Sequence, residues 1–130
     1  MLKSLQPAHW PRPKGYANGI AASGTQTIYT GGLVGWDSEG RFAEGDFVAQ
    51  VRTTLENIVT VLAEAGAGPE HIVRLTWYIT DKQAYLDSQA AIGAAYREII
   101  GRHFPSMAVV QVVALMEDQA MVEIEATAVL

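Results

Sequence analysis

Apolar positions recur along this chain with two different periods, and the changes of period divide it into elements. From 48 to 62 the spacing is helical, with Val48, Val51, Leu55, Ile58, Val59 and Leu62 on one stripe, as a repeat of 3.6 residues requires. Asp46 stands at the N-cap of this segment and Gly66 supplies its C-terminal stop, so both ends are marked. Gln50, Arg52, Thr53 and Glu56 fall off the stripe and are expected to face water or a neighbour. From 72 to 80 the period drops to two: Val73, Leu75, Trp77 and Ile79 alternate with Arg74, Thr76, Tyr78 and Thr80. That pattern predicts a strand.

A second helix is predicted over 88–101, with Ile92, Tyr96, Ile99 and Ile100 facing inward. Asp81 caps the segment before it, which has room for a turn at 82–86. Pro105 biases Phe104 away from helical backbone, so the chain must then enter a strand. Two apolar runs follow, 108–115 and 120–130, joined by Met116-Glu117-Asp118-Gln119. In the second run Val122, Ile124, Ala126 and Ala128 share one face, and Met121, Glu123, Glu125 and Thr127 share the other. A short polar link between such runs predicts an antiparallel hairpin, and any site is expected on the face that carries Glu123.

The N-terminal part is less periodic. Residues 1–15 hold Pro7, Pro11 and Pro13 and read as an extended surface arm, with 16–130 as the folded domain. Strand-like runs at 16–22 and 27–31 flank Ser23-Gly24-Thr25-Gln26 and are expected to pair. Gly31, Gly32 and Gly35 lead through a loop to a short extended piece at 41–43. They suit either a plain loop or a close approach of backbone to a ligand.

The element order is then β-β, helix, β, helix, β-β. It describes one α+β domain in which two crossovers cover one face of a mixed sheet. The other face has no cover within the chain. With Trp77 or Tyr78, Met107 or Ala108, and Val109 or Val110 on it, that face would be too apolar for water, so a second subunit is expected.

Composition narrows the function classes. At 130 residues with 49% hydrophobic positions, the chain can bury a core and is not a disordered segment. No apolar run is long enough to span a membrane and the N-terminus lacks the apolar stretch of a signal peptide, so a cytoplasmic protein is expected. There is no Cys, and His9, His71 and His103 lie in separate segments without ligand spacing. Neither a metal nor another cofactor is therefore expected. A net charge of −5, with basic residues scattered along the chain, argues against a nucleic-acid partner.

A series of short motifs carries a more specific signal. Gly15-Tyr16-x-x-Gly19, Thr30-Gly31-Gly32, Gln50-x-x-x-x-Leu55-x-Asn57, Leu62-x-x-Ala65-Gly66, Ile72-Val73-Arg74-Leu75-Thr76, Phe104-Pro105 and Glu123-Ile124-Glu125-Ala126 occur in this order. Together they resemble the RidA (YjgF-type) enamine/imine deaminase family, from about Tyr16 to Val129. The resemblance implies a chorismate-mutase-like α+β fold, a homotrimer whose sheets line a central barrel, and small-molecule sites in the clefts between subunits.

It also implies site residues, and departures from the family pattern. Deaminating members carry an Arg two positions after the proline of a Pro-Ala-Arg motif, where it holds the substrate carboxylate; here that position is Met107. A thioether cannot make the bidentate, charge-assisted contact of a guanidinium, worth about 1.5–3 kcal/mol. The family's turn Ser corresponds to Gly31, its Gln to Leu33, the residue often occupied by Cys to Val109, and a helix Asn to Gln89. Tyr16 and Glu123 are retained, and in the family the glutamate positions or activates the water that hydrolyses the imine.

By this comparison Glu123 is the catalytic candidate, and Tyr16, Gly31, Gly32, Met107, Val109, Gln89 and Arg74 are candidates for substrate binding. Plainer readings stand beside these. Glu123 could be a solvated strand carboxylate, Tyr16 a packing ring, Met107 an apolar wall, and Arg74 or Arg102 a surface ion pair rather than a substitute cation. The leading reading is a hydrolase or deaminase-like enzyme of altered specificity, inefficient on 2-aminoacrylate. A binding module that retains a small ligand without turnover, and a trimer serving protein interaction, are the alternatives.

Overall fold

The computed structural model describes residues 1–42 and 46–130. Four short strands come first: β1 (Leu2–Ser4), β2 (Ile20–Ala22), β3 (Thr27–Tyr29) and β4 (Leu33–Val34). Then follow α1 (Phe47–Ala63), β5 (Ile72–Ile79), α2 (Lys82–Asp87), α3 (Gln89–Ile99), β6 (Ser106–Gln111) and β7 (Val122–Val129). The main sheet runs β3-β7-β5-β6, with β4 also on β7. Strands β5 and β6 are parallel, and every partner of β7 is antiparallel to it. Helices α1 and α3 pack against each other and cover one face, as the two-crossover reading requires.

Local signals explain the boundaries. The Asp46 carboxylate accepts from Ala49 N at 3.2 Å to cap α1, and Gly66, with φ 76°, ends it. Val51, Leu55, Ile58 and Leu62 are fully buried. The expected helix over 88–101 is α3, but 82–87 is a helix in its own right, capped by Asp81 and separated from α3 at Ser88. Of the piece expected at 41–43, Phe42 bridges Trp36, and Ala43 lies outside the described residues.

Three expectations about pairing are overturned. The runs 108–115 and 120–130 do not form a hairpin, because β5 lies between them. The link from β6 wraps the end of β5: Val112 N donates to Ile79 O at 2.8 Å and Thr80 N donates to Met121 O at 3.2 Å. The α3 crossover lays β6 parallel to β5 on one side, which leaves the other side to β7. Nor do 16–22 and 27–31 pair. Within the expected arm β1 takes β2, Leu2 opposite Ala22, while β3 joins β7, Tyr29 opposite Thr127. The Ser23–Gln26 link turns instead on the C-terminus, where Thr25 N and Gln26 N both donate to Leu130 O, and a Cβ at Gly24 would lie 2.7 Å from that oxygen. Finally, alternation along β5 is broken by a register shift between Ile72 and Arg74. This bulge turns Ile72 and Leu75 both into the core and leaves Val73 half-buried.

Burial corrects two further readings. Gln50 does not face water: it is 2% exposed, and its amide donates to Gln119 O at 2.9 Å and accepts from Met121 N at 2.8 Å. The uncovered sheet face is also less apolar than expected. Trp77, Met107 and Val109 pack on the helix side with Leu75, and the alternation of the pleat gives the open face Arg74, Thr76, Tyr78, Glu123, Glu125 and Thr127, with Ala108, Val110, Val129 and the exposed ring of Tyr29 among its apolar members.

Candidate functional site

A cleft of about 670 Å³ opens between α3 and the β5–β6 pair. Its walls follow from the elements just described. Met107 and Val109 enter from β6, opposite Leu75 and Trp77 of β5. Gln89, Ile92, Gly93 and Arg97 enter from α3, at spacings that place them on one side of a helix. Tyr16 closes the cleft from the N-terminal segment. Gly15 takes φ 81°, a backbone that favours glycine, and Ala17 N donates to Pro105 O at 2.9 Å, so Tyr16 is held alongside the start of β6.

Aromatic rings dominate the interior. Tyr85 meets Trp77 edge-on at 6.3 Å between ring centroids, and Tyr96 stacks on Phe104 at 5.7 Å. Tyr96 OH donates to His103 O at 2.6 Å, and burial pushes both the Tyr96 and the Tyr85 hydroxyls above the ordinary tyrosine range. Trp77 is 2% exposed and its Nε1 has no hydrogen-bond partner among the described residues. A buried donor left unmet costs about 1–3 kcal/mol. Two cations, Lys14 and Arg97, complete the lining.

The expected site residues divide into two groups. Tyr16, Gln89, Met107 and Val109 come together in this cleft. Glu123, Gly32 and Gly31 lie elsewhere, where β4 meets β7 and Val34 pairs with Glu123. A Cβ at Gly32 would stand 2.5 Å from Glu123 Oε2, so the glutamate side chain rests on backbone that only glycine leaves open. Gly31 carries no such demand: a Cβ there would meet nothing within 4 Å. Beside Glu123, Tyr78 OH donates to Glu125 Oε1 at 2.8 Å. That bond, followed by burial and the two glutamate charges, holds the Tyr78 hydroxyl above its usual range, against the opposing charge of Arg74.

Arg74 is exposed and makes no ion pair among the described residues. It borders two shallow depressions, one with Tyr78 and Glu125 and one with Tyr16, Ser106 and Met107. The described residues contain no cluster of three or more His, Asp or Glu side chains suited to a metal, and none of their helices is long and apolar enough to cross a membrane.

Sequence reasoning missed Lys14, Arg97, Tyr85 and the cleft role of Trp77. For Arg97 a signal existed, since Gln89, Gly93 and Arg97 recur every four residues. For Lys14 none did, because the path of the N-terminal segment is set by tertiary contacts.

Comparison with known proteins places this arrangement. A family described as endoribonuclease L-PSP matches residues 10–130. RutC family protein slr0709 of Synechocystis is 33% identical, over 99% of this chain and 97% of that protein. The goat (Capra hircus) 2-iminobutanoate/2-iminopropanoate deaminase is 32% identical, over 80% of this chain and 73% of its own length. Among solved structures, the Rid-family protein YyfB of Yersinia pestis superimposes with a TM-score of 0.87 at 28% identity, covering 99% of this chain and 98% of its own. Escherichia coli TdcF with bound serine does so at 0.69, also with 28% identity, covering 98% of each chain.

Proposed function

Because the chain belongs to the endoribonuclease L-PSP family, which takes in the RutC and Rid proteins, we propose that it is a small-molecule hydrolase of the imine or enamine type whose substrate lacks a carboxylate beside the reacting carbon. The observation that carries this reading is Met107 in a wall of aromatic and aliphatic side chains, at the position where the resemblance implies an Arg in deaminating relatives. A neutral thioether there packs against a ligand but does not clamp an oxyanion.

Glu123 supplies the water chemistry. It takes a proton from water as the oxygen bonds to the imine carbon and passes it to nitrogen, giving a carbinolamine; it then relays the carbinol hydroxyl proton to the amine, so that the carbonyl forms and ammonia leaves as the C–N bond breaks. In one chain Met107 packs toward the helices while Glu123 lies on the open face of the sheet. A complete site therefore needs a second copy of the chain, which supports the homotrimer with intersubunit clefts. The polar residues of the open face suit an interface built on hydrogen bonds around Ala108 and Val110. The family's nuclease label is not adopted, since a net charge of −5 with basic residues scattered along the chain argues against an RNA partner.

The test is Glu123→Gln on whichever imine the protein turns over. A fall in kcat of about 100-fold or more with the oligomer intact is expected for loss of a general base; an unchanged rate removes Glu123 from the mechanism.

A further inference from the structure

We propose that the cleft between α3 and β6 takes a planar aromatic carboxylate, its rings among Tyr16, Tyr85 and Phe104 and its anionic group at Lys14 and Arg97. The inference rests on the reading of this cleft as the ligand site and goes further by naming the ligand class. The two cations come from the N-terminal segment and α3, not from β6 where Met107 stands, so the anionic group need not be the one beside the reacting carbon.

Charge is the first argument. The chain has 14 Asp and Glu against 9 Lys and Arg, yet the cleft lining holds two cations and no carboxylate. Neither Lys14 nor Arg97 is in an ion pair among the described residues. A pocket so much more positive than the molecule around it favours an anion.

Placement of Arg97 is the second. One turn before it, α3 carries Gly93, and a Cβ there would lie 3.2 Å from Arg97 Nη1. Glycine weakens a helix interior relative to alanine, and here it leaves room for the guanidinium to lie back along the helix at the cleft. The aromatic walls are the third argument. Rings of a ligand can add to the existing stack and edge contacts. At about 670 Å³ the space suits a two-ring molecule.

Titration calorimetry with three probes tests this on the intact protein: 2-naphthoate, its neutral amide 2-naphthamide, and pyruvate. The expected result is that 2-naphthoate binds about tenfold or more tightly than either other probe. Arg97→Gln should cost 2-naphthoate about tenfold and leave 2-naphthamide unchanged, while Arg97→Lys keeps part of the affinity. Arg97 is exposed, so these variants should fold. Equal binding of the acid and the amide, pyruvate binding as tightly as 2-naphthoate, or an Arg97→Gln protein that binds 2-naphthoate normally would each overturn the proposal. Calorimetry reads binding without turnover. Failure to hydrolyse any imine would remove the hydrolase reading alone, and imine turnover without 2-naphthoate binding would remove this inference alone.

Discussion

Gln50 and Gly32 are single residues whose weight comes from partners far along the chain. Gln50 joins α1 to the link before β7 by two hydrogen bonds, to Gln119 O and Met121 N. Gln50→Leu keeps the volume but leaves both backbone groups unmet, so urea unfolding should show a loss of about 1–3 kcal/mol. At Gly32 the added methyl of Gly32→Ala would meet Glu123 Oε2 at 2.5 Å and move the carboxylate. Turnover should fall with little change in melting temperature, whereas Gly31→Ala, with open space around it, should leave the rate within about twofold. A tyrosine pair gives the pH dependence. Burial raises the Tyr96 hydroxyl above its ordinary value of 10.0, so the folded state holds its proton longer than the unfolded chain. That stability is fully present below about pH 10 and declines as pH rises further. Tyr96→Phe should flatten the alkaline decline in a pH series of urea melts. The burial of Gln50 was not legible in the sequence, because a glutamine between apolar neighbours looks the same whether its partners are water or distant backbone.

At the scale of elements, period was legible and partnership was not. The α1 stripe, its Asp46 cap and its Gly66 stop follow from spacing alone. Asp46→Ala should therefore cost about 1 kcal/mol in chemical denaturation, the usual worth of an N-cap side chain. Strand β7 also matched its alternation, with Val122, Ile124, Ala126 and Ala128 buried. Its partners could not be read in this way. Alternation says which residues share a face, and it is silent on whether a neighbour in sequence is a neighbour in the sheet. The crossover through α3 inserts β5 between the two C-terminal runs, and the C-terminus itself occupies the turn that would have paired 16–22 with 27–31. The bulge near Val73 is invisible for the same reason, since it is fixed by the register of β7 rather than by β5.

For the whole molecule, one chain keeps its aromatic cleft and its Glu123 on different sides of the sheet, so the proposed hydrolase site needs a second copy of the chain to be complete. Sedimentation at micromolar concentration should show a trimer, and a stable monomer would leave Glu123 without a site. The motif series made the family legible, and Tyr16, Gln89, Met107 and Val109 line one cleft. Lys14 emerged only from the fold, and Arg97 had no more than a four-residue spacing to mark it. The central claim is that Met107 removes the grip on small imino acids. Semicarbazide-trapped hydrolysis of 2-aminoacrylate, run on the native protein and on Met107→Arg, tests it most directly. The account predicts little acceleration by the native chain and a gain of about tenfold or more with the guanidinium in place; rapid hydrolysis by the native protein, unimproved by the substitution, would contradict it.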